Sequence, residues 1–129
     1  MARCPSSGQT PGAMTVPELE TRPWGGYAVL ADAPDHKVKR LVVHAGQRLS
    51  YQRHAHRAEH WFVVRGTGVV TVDGVDRAVT AGAAVDVPRG AAHRIANTGE
   101  ADLVFVEVQH GESFAEDDIE RLDDDYGRV

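Results

Sequence analysis

The sequence has little of what several classes of protein depend on. Its single cysteine, Cys4, has no partner for a disulfide, which excludes a disulfide-stapled secreted domain. No run of apolar residues approaches the roughly eighteen that a membrane span needs, and the N-terminus lacks an apolar signal segment. The sequence therefore predicts a cytoplasmic protein with no membrane partner.

Positive charge is also scarce, because the formal net charge is −5 and no basic stripe exists. Residues 112–129 contain eight acidic side chains and two basic ones, Arg121 and Arg128. A chain with this balance is not expected to bind nucleic acid. An anionic ligand would gain nothing from the overall field and would need arginines or lysines close to its own site.

What the sequence does contain is enough apolar residue for one folded domain, at 42% hydrophobic over 129 residues. Residues 1–16 are rich in turn formers and are interpreted as a disordered leader, which leaves residues 17–129 as a single domain. Eight short strands are predicted between Gly, Asp and Pro residues. They are Tyr27–Leu30, Lys37–His44, Glu59–Arg65, Val69–Val72, Arg77–Thr80, Ala84–Val87, His93–Ala96 and Leu103–Gln109.

This spacing, with no helical pattern of ten residues between the strands, predicts an all-β protein built as a closed antiparallel barrel or jelly roll. Only the end of the chain departs from it. Ile119 and Leu122 lie among acids and indicate either a short helical turn or an irregular, solvated tail.

Residues 52–61 contain three of the seven histidines. On a strand, Gln52, His54 and His56 would point to the same face, because side chains alternate with a period of two. Glu59 opens the next predicted strand, where its carboxylate could meet them. Imidazole, amide and carboxylate donors together suit Zn²⁺, with Fe²⁺, Mn²⁺, Co²⁺ and Ni²⁺ as alternatives. A solvated polar loop with scattered histidines is the competing interpretation of this segment.

A second segment, residues 82–97, places His93 at the start of a strand just after a Pro-x-Gly turn. Together the two segments resemble the two sequence motifs of the cupin superfamily. The matching positions are Glu59, Gly66, Gly82, Pro88, Gly90, His93 and Asn97. The resemblance implies a double-stranded β-helix, which is a jelly-roll barrel, followed here by a short irregular acidic tail.

The chain more closely resembles the type II mannose-6-phosphate isomerases over residues 20–129. Four stretches carry this resemblance: residues 22–25, 37–40, 52–61 and 116–128. It implies a metal-dependent isomerase that interconverts mannose 6-phosphate and fructose 6-phosphate in carbohydrate metabolism. Many members carry a nucleotidyltransferase in front of this cupin, so the chain is expected to be the isomerase half on its own.

The resemblance leaves two sets of metal ligands open. The superfamily spacing selects Gln52, His54, Glu59 and His93. The rival set, His54, His56, His60 and His93, is richer in imidazole. It requires side chains near the turn that would alternate to opposite faces of the strands to reach the same metal.

Aldose–ketose isomerisation needs a proton-transferring group and stabilisation of developing negative charge. His56 and His60 are candidates for proton transfer if they are not ligands, and Arg57 is a candidate both for catalysis and for binding the substrate phosphate. Lys39 and Arg121 are the other predicted phosphate contacts. For Arg57 and Arg121, surface or structural ion pairing is the competing interpretation.

Two other functions remain open alongside the isomerase. The same ligands suit an iron-dependent dioxygenase, and a small cupin can also bind a sugar or metabolite without catalysis. A homodimer is expected, because small cupins commonly cover their sheet edges by pairing.

Overall fold

The computed structural model describes residues 16–128, and over this range it consists of strands and loops. The eleven strands of this range follow in chain order. They are β1 Glu20–Arg22, β2 Gly25–Asp32, β3 His36–Val43, β4 Tyr51–Arg53, β5 Arg57–Arg65, β6 Thr67–Val72, β7 Val75–Thr80, β8 Ala84–Val87, β9 His93–Asn97, β10 Leu103–Gly111 and β11 Glu120–Asp123.

The strands form two sheets that face each other. The six-stranded sheet has the order β1-β2-β3-β10-β5-β8, and the five-stranded sheet has the order β11-β4-β9-β6-β7. Neighbouring strands are antiparallel throughout both sheets. From β3 onward the chain passes from one layer to the other at every step except between β6 and β7, and this winds it into a barrel.

Alternation along the strands determines what lies inside the barrel. On β5, Trp61 and Val63 are fully buried, whereas Phe62 and Val64, which alternate with them, are about half exposed on the outer face. The inner residues of both sheets pack into one apolar core. Other inward positions carry polar side chains such as Glu59 and Glu107, and these line a cavity together with core residues such as Trp61.

A two-residue hairpin turn connects β6 and β7 at an Asp-Gly pair. Asp73 and Gly74 have φ angles of 47° and 79°, and Val72 pairs with Val75 across them. Asp-Gly suits such a turn because both central residues adopt left-handed conformations. The Asp73 carboxylate also accepts the backbone N–H of Ala92, which fixes the loop before β9.

The all-β class and the barrel are confirmed, and each of the eight predicted strands overlaps an observed one. The prediction of an irregular acidic tail is wrong in one respect, because Glu120–Asp123 forms strand β11 and pairs with β4. The predicted leader, residues 1–16, lies outside the described residues except for its last one. Residues 16–128 include no helix long and apolar enough to cross a membrane.

Candidate metal centre

Three buried side chains meet beside the polar cavity, and two of them, His54 and Glu59, line it. His54 follows the end of β4, Glu59 lies on β5, and His93 opens β9. One donor atom from each lies within 4.8 Å of the other two. The Nε2 atoms of His54 and His93 are 3.3 Å and 3.7 Å from the two carboxylate oxygens of Glu59. The sheets thus bring together residues that are up to 39 positions apart in the sequence.

Backbone carbonyls orient both imidazole rings. The Nδ1 atom of His54 is 2.6 Å from the carbonyl oxygen of Asp118, and that of His93 is 2.9 Å from the carbonyl oxygen of Ala91. A carbonyl only accepts, so each Nδ1 carries the proton and each Nε2 presents a lone pair to the cavity. Contacts of this kind typically orient histidine ligands of metals.

The electrostatics of the site favour neutral imidazoles. Burial, helped by the charge of Arg57, lowers the pKa of His54 to about 4, and burial also lowers the pKa of His93. At neutral pH the two lone pairs therefore face a carboxylate, and the buried Nε2 of His93 has no hydrogen-bond partner within the described range. Two nitrogen donors and one carboxylate with no proton between them fit a divalent metal ion.

Arg57 lies directly beside these donors and is itself buried. Its Nε donates to Glu59 at 3.0 Å, and one terminal nitrogen lies 3.4 Å from Nε2 of His54. The other terminal nitrogen donates to the carbonyl of Ala115 at 3.3 Å. The guanidinium therefore balances the charge of the carboxylate and faces the space where a ligand would sit.

Gln52, the fourth predicted ligand, lies on β4 directly opposite His93 on β9 and lines the cavity. The three donors above and Gln52 are thus placed together, as the superfamily spacing predicts. Metal binding by these four residues stays a prediction.

The structure does not bring His56 and His60 to the cavity, so it does not assemble the rival ligand set or the predicted proton-transfer pair. Strand β4 ends at Arg53, and the carboxylate of Asp118 accepts the backbone N–H groups of Ala55 and His56, which turns the chain outward. His60 points away from the barrel because Glu59 and Trp61 on either side of it point inward.

Both histidines instead have exposed acidic neighbours. The His60 Nδ1 lies 2.6 Å from Asp86, and the His56 Nδ1 lies 3.6 Å from Glu112. The predicted placement of His56 on the same face as Gln52 assumes one strand over residues 52–56. That strand ends at Arg53, so the alternation of side chains does not extend to His56.

A second buried carboxylate, Glu107 on β10, was not among the predicted site residues. The indole N–H of Trp61 is shared between Glu59 and Glu107, at 3.1 Å and 3.2 Å, and the Gln109 amide donates to Glu107 at 2.7 Å. Burial, together with the charge of Glu59, raises the pKa of Glu107 to about 7. The alternation of residues along β10 could have predicted its burial, because Glu107 shares a face with the core residues Leu103 and Phe105.

Cationic side chains surround the mouth of the cavity. Lys39 is buried, and its Nζ lies 2.8 Å from a carboxylate oxygen of Glu116 and 4.2 Å from the ring centre of Tyr27. Arg121 also lines the cavity, so the structure places all three predicted phosphate contacts there. Two further cations that the sequence did not indicate, Arg22 and Arg128, line it as well.

Comparison with known proteins adds an independent view of this chain. It is 47% identical over 108 residues to the alginate biosynthesis protein AlgA of Pseudomonas aeruginosa. It is 44% identical over 108 residues to the mannose-1-phosphate guanylyltransferase of Escherichia coli. Each match covers 84% of this chain but only 22% and 23% of the relative, so the chain spans less than a quarter of their length.

These names overturn the prediction of a mannose-6-phosphate isomerase. A guanylyltransferase transfers a nucleotidyl group, whereas an isomerase moves hydrogen within one sugar, so the predicted reaction and enzyme class are wrong. The error came from transferring an activity together with a fold, although one fold supports many functions.

A solved protein from Klebsiella pneumoniae with a double-stranded β-helix domain shares the fold, with a TM-score of 0.67 and 21% identity. That match covers 75% of this chain and 83% of the other. A family model described as "Mannose-6-phosphate isomerase C-terminal" matches residues 13–124. With its cupin barrel, its two motifs and this match over most of its length, the chain belongs to the mannose-6-phosphate isomerase C-terminal family.

Proposed function

We propose that this chain is a metal-holding cupin module that binds a phosphorylated sugar, with mannose 1-phosphate as the first candidate. The observation that carries the proposal is a buried His/Glu donor set beneath a cavity mouth lined by cations. The name of the Escherichia coli relative supplies the sugar, because that protein is a mannose-1-phosphate guanylyltransferase.

The metal would be held by Nε2 of His54, Nε2 of His93 and the carboxylate of Glu59, with the amide oxygen of Gln52 as a fourth donor. Zn²⁺ suits this mixture of nitrogen and oxygen donors, and Fe²⁺, Mn²⁺, Co²⁺ and Ni²⁺ are the alternatives. When bound, a divalent ion supplies a Lewis acid that can orient a hydroxyl oxygen of the sugar.

The protein's own side chains would do the remaining recognition. Glu107 and Gln52 offer hydrogen bonds to sugar hydroxyls, while cations at the mouth suit a phosphate dianion. The overall charge of −5 repels an anion, so these local contacts must provide the attraction. Such a module would retain a sugar phosphate in the cytoplasm for nucleotidyl transfer by a separate catalytic domain or protein.

Titration calorimetry tests this proposal directly. Mannose 1-phosphate is titrated into the zinc-loaded chain and into the same chain stripped with a chelator, with mannose as the control for the phosphate. We expect one site per chain and at least tenfold weaker binding after either the metal or the phosphate is removed. Absence of binding at millimolar mannose 1-phosphate in the loaded chain would contradict the proposal.

A further inference from the structure

Residues 112–128 form a C-terminal strap that crosses the mouth of the cavity, and most of its acidic side chains have partners outside the cavity. Arg53 donates to Glu120, and Arg94 donates to Asp123, at 2.8 Å and 3.1 Å. Asp125 likewise binds Arg48, and the Asp118 carboxylate accepts two backbone amides. Asp124 instead binds Arg128, which lines the cavity.

Arg121 is the one of the two arginines in the strap that has no such partner within residues 16–128. Within residues 16–128 its side chain has no hydrogen-bond or ion-pair partner, and its Nε atom is buried. Burying a guanidinium N–H without an acceptor is unfavourable, so the position is suited to an acceptor that comes from outside the protein. Phosphate oxygens match the planar donor fork of arginine.

Strand register explains why Arg121 faces inward. Arg121 on β11 lies opposite Gln52 on β4, and Gln52 lies opposite His93 on β9. Directly opposite residues project from the same face of a sheet. With neighbouring strands roughly 4.8 Å apart, the backbone of Arg121 lies about 10 Å from that of His93. This span suits a ligand with a hydroxyl near the metal donors and an anionic group at the mouth.

A second arginine reaches the same cavity from the opposite sheet. Arg22 on β1 donates to the carbonyl of Thr21 and to the hydroxyl of Tyr27, at 2.8 Å and 3.1 Å. Within the described range it has no carboxylate in ion-pair distance, unlike Lys39, whose charge Glu116 balances at 2.8 Å. Among the cavity-lining cations of the described residues, Arg22 and Arg121 are therefore the two that no carboxylate neutralises, so both are suited to bind an anionic ligand.

We propose that Arg121 and Arg22 form an anion site for a phosphate group, and that phosphate bound there fastens the C-terminal strap over the cavity. The strap is also held by Asp118, by the Tyr126 hydroxyl and by pairing with β4, whereas its exposed ion pairs individually contribute little. A ligand that binds only the closed strap stabilises that state by mass action. The identity of the sugar rests on the proposed function, whereas the anion site does not.

The test combines affinity with hydrogen exchange of the strap amides in the full chain. Inorganic phosphate and mannose 1-phosphate are the probes, and Arg121→Gln is compared with Arg121→Lys and Arg22→Gln. We expect both probes to slow exchange within residues 117–126 of the unmodified chain. Arg121→Gln should weaken phosphate binding at least tenfold and abolish this protection, and Arg121→Lys should restore part of it.

Arg53→Gln is the matched control, because it removes an ion pair between the same two strands on the outer side. It should speed exchange of the strap without ligand while leaving phosphate affinity within about twofold. Phosphate affinity that is unchanged in Arg121→Gln, or reduced equally in Arg53→Gln, would overturn the anion site.

The two probes separate this inference from the proposed function. Phosphate binding that depends on Arg121, with mannose 1-phosphate binding no tighter, would support the anion site and contradict the proposed sugar ligand. Tight binding of mannose 1-phosphate with the same affinity in Arg121→Gln would support the proposed sugar ligand and contradict the anion site.

Discussion

Glu59 is the residue on which the contacts of the site converge. Its carboxylate accepts hydrogen bonds from Arg57 and Trp61 and lies within 3.7 Å of Nε2 of both histidines. It is 3% exposed, so its negative charge must be balanced inside the barrel. Arg57 provides one balancing charge, and a metal ion would provide the other.

Glu107 gives a pH-dependent prediction for the metal-free protein. Its pKa of about 7 lies above the ordinary value of 4.5, so its ionisation makes the fold less stable as pH rises from about 5 through 7. Glu107→Gln imitates the protonated carboxyl and should escape this loss. We expect the variant to gain stability over the unmodified protein, on the order of 1–3 kcal/mol, between pH 5 and pH 8.

Urea denaturation at the two pH values, in the presence of a chelator, measures this gain. Glu100→Gln, at an exposed glutamate, is the control and should leave the pH profile unchanged. Parallel profiles for Glu107→Gln and the unmodified protein would show that the buried carboxyl does not titrate in this range.

The individual site residues were predictable to different degrees. Motif spacing selects Gln52, His54, Glu59 and His93, because a metal site in this fold needs donors at fixed strand positions. It could not select Arg22, which reaches the cavity through pairing of β1 with β2 rather than through a motif. Glu107 could have been predicted as a site residue, because glutamate is rarely buried without a partner and this one lies on the inward face of a strand.

Among the elements, the strap orients one part of the candidate site that the motifs do not. The carbonyl of Asp118 orients His54, and its carboxylate accepts the N–H groups of Ala55 and His56 at 3.0 Å and 2.9 Å. Burial opposes ionisation of Asp118, but these two amides keep its pKa below the ordinary value. One residue of the strap thus fixes both a ligand ring and the turn that follows it.

We expect Asp118→Ala to destabilise the protein by about 1–2 kcal/mol, because two charge-assisted hydrogen bonds are lost from a partly exposed carboxylate. The same variant should weaken metal binding through loss of order at His54. Urea denaturation and zinc titration check both effects. Asp117→Ala, at the exposed neighbouring residue, is the control, and equal behaviour of the two variants would contradict this role.

The strands show where sequence patterns succeed. The predicted strands contain buried apolar residues, which alternate with outward-facing ones most clearly on β5 and β8, and that alternation is a local property of the sequence. Strands β1, β4 and β11 were not predicted, because they are three or four residues long and largely polar. The conformation of β4 and β11 depends on partners distant in sequence, such as the ion pair between Arg53 and Glu120.

For the molecule as a whole, the homodimer stays a prediction. Strands β7 and β8 end their sheets with unpaired backbone groups, which a second copy could cover. Light scattering at micromolar concentration should give twice the mass of one chain. A single-chain mass under these conditions would contradict the prediction.

The whole barrel also shows why fold and activity were predictable to different degrees. Two spaced motifs are sufficient for the double-stranded β-helix, since they encode turns and inward donors that this topology requires. The reaction depends on what binds above those donors, and the same barrel accommodates many ligands. The fold was therefore predicted correctly while the isomerase assignment was wrong.

The proposed function depends above all on one divalent metal that His54, Glu59 and His93 would hold in the barrel. The most direct test is equilibrium dialysis against Zn²⁺ followed by elemental analysis, with His93→Ala compared with His60→Ala as the matched control. We predict one zinc per chain in the unmodified protein and in His60→Ala, and at least a hundredfold weaker binding in His93→Ala. Equal zinc content in the two variants, or none in the unmodified protein, would contradict this proposal.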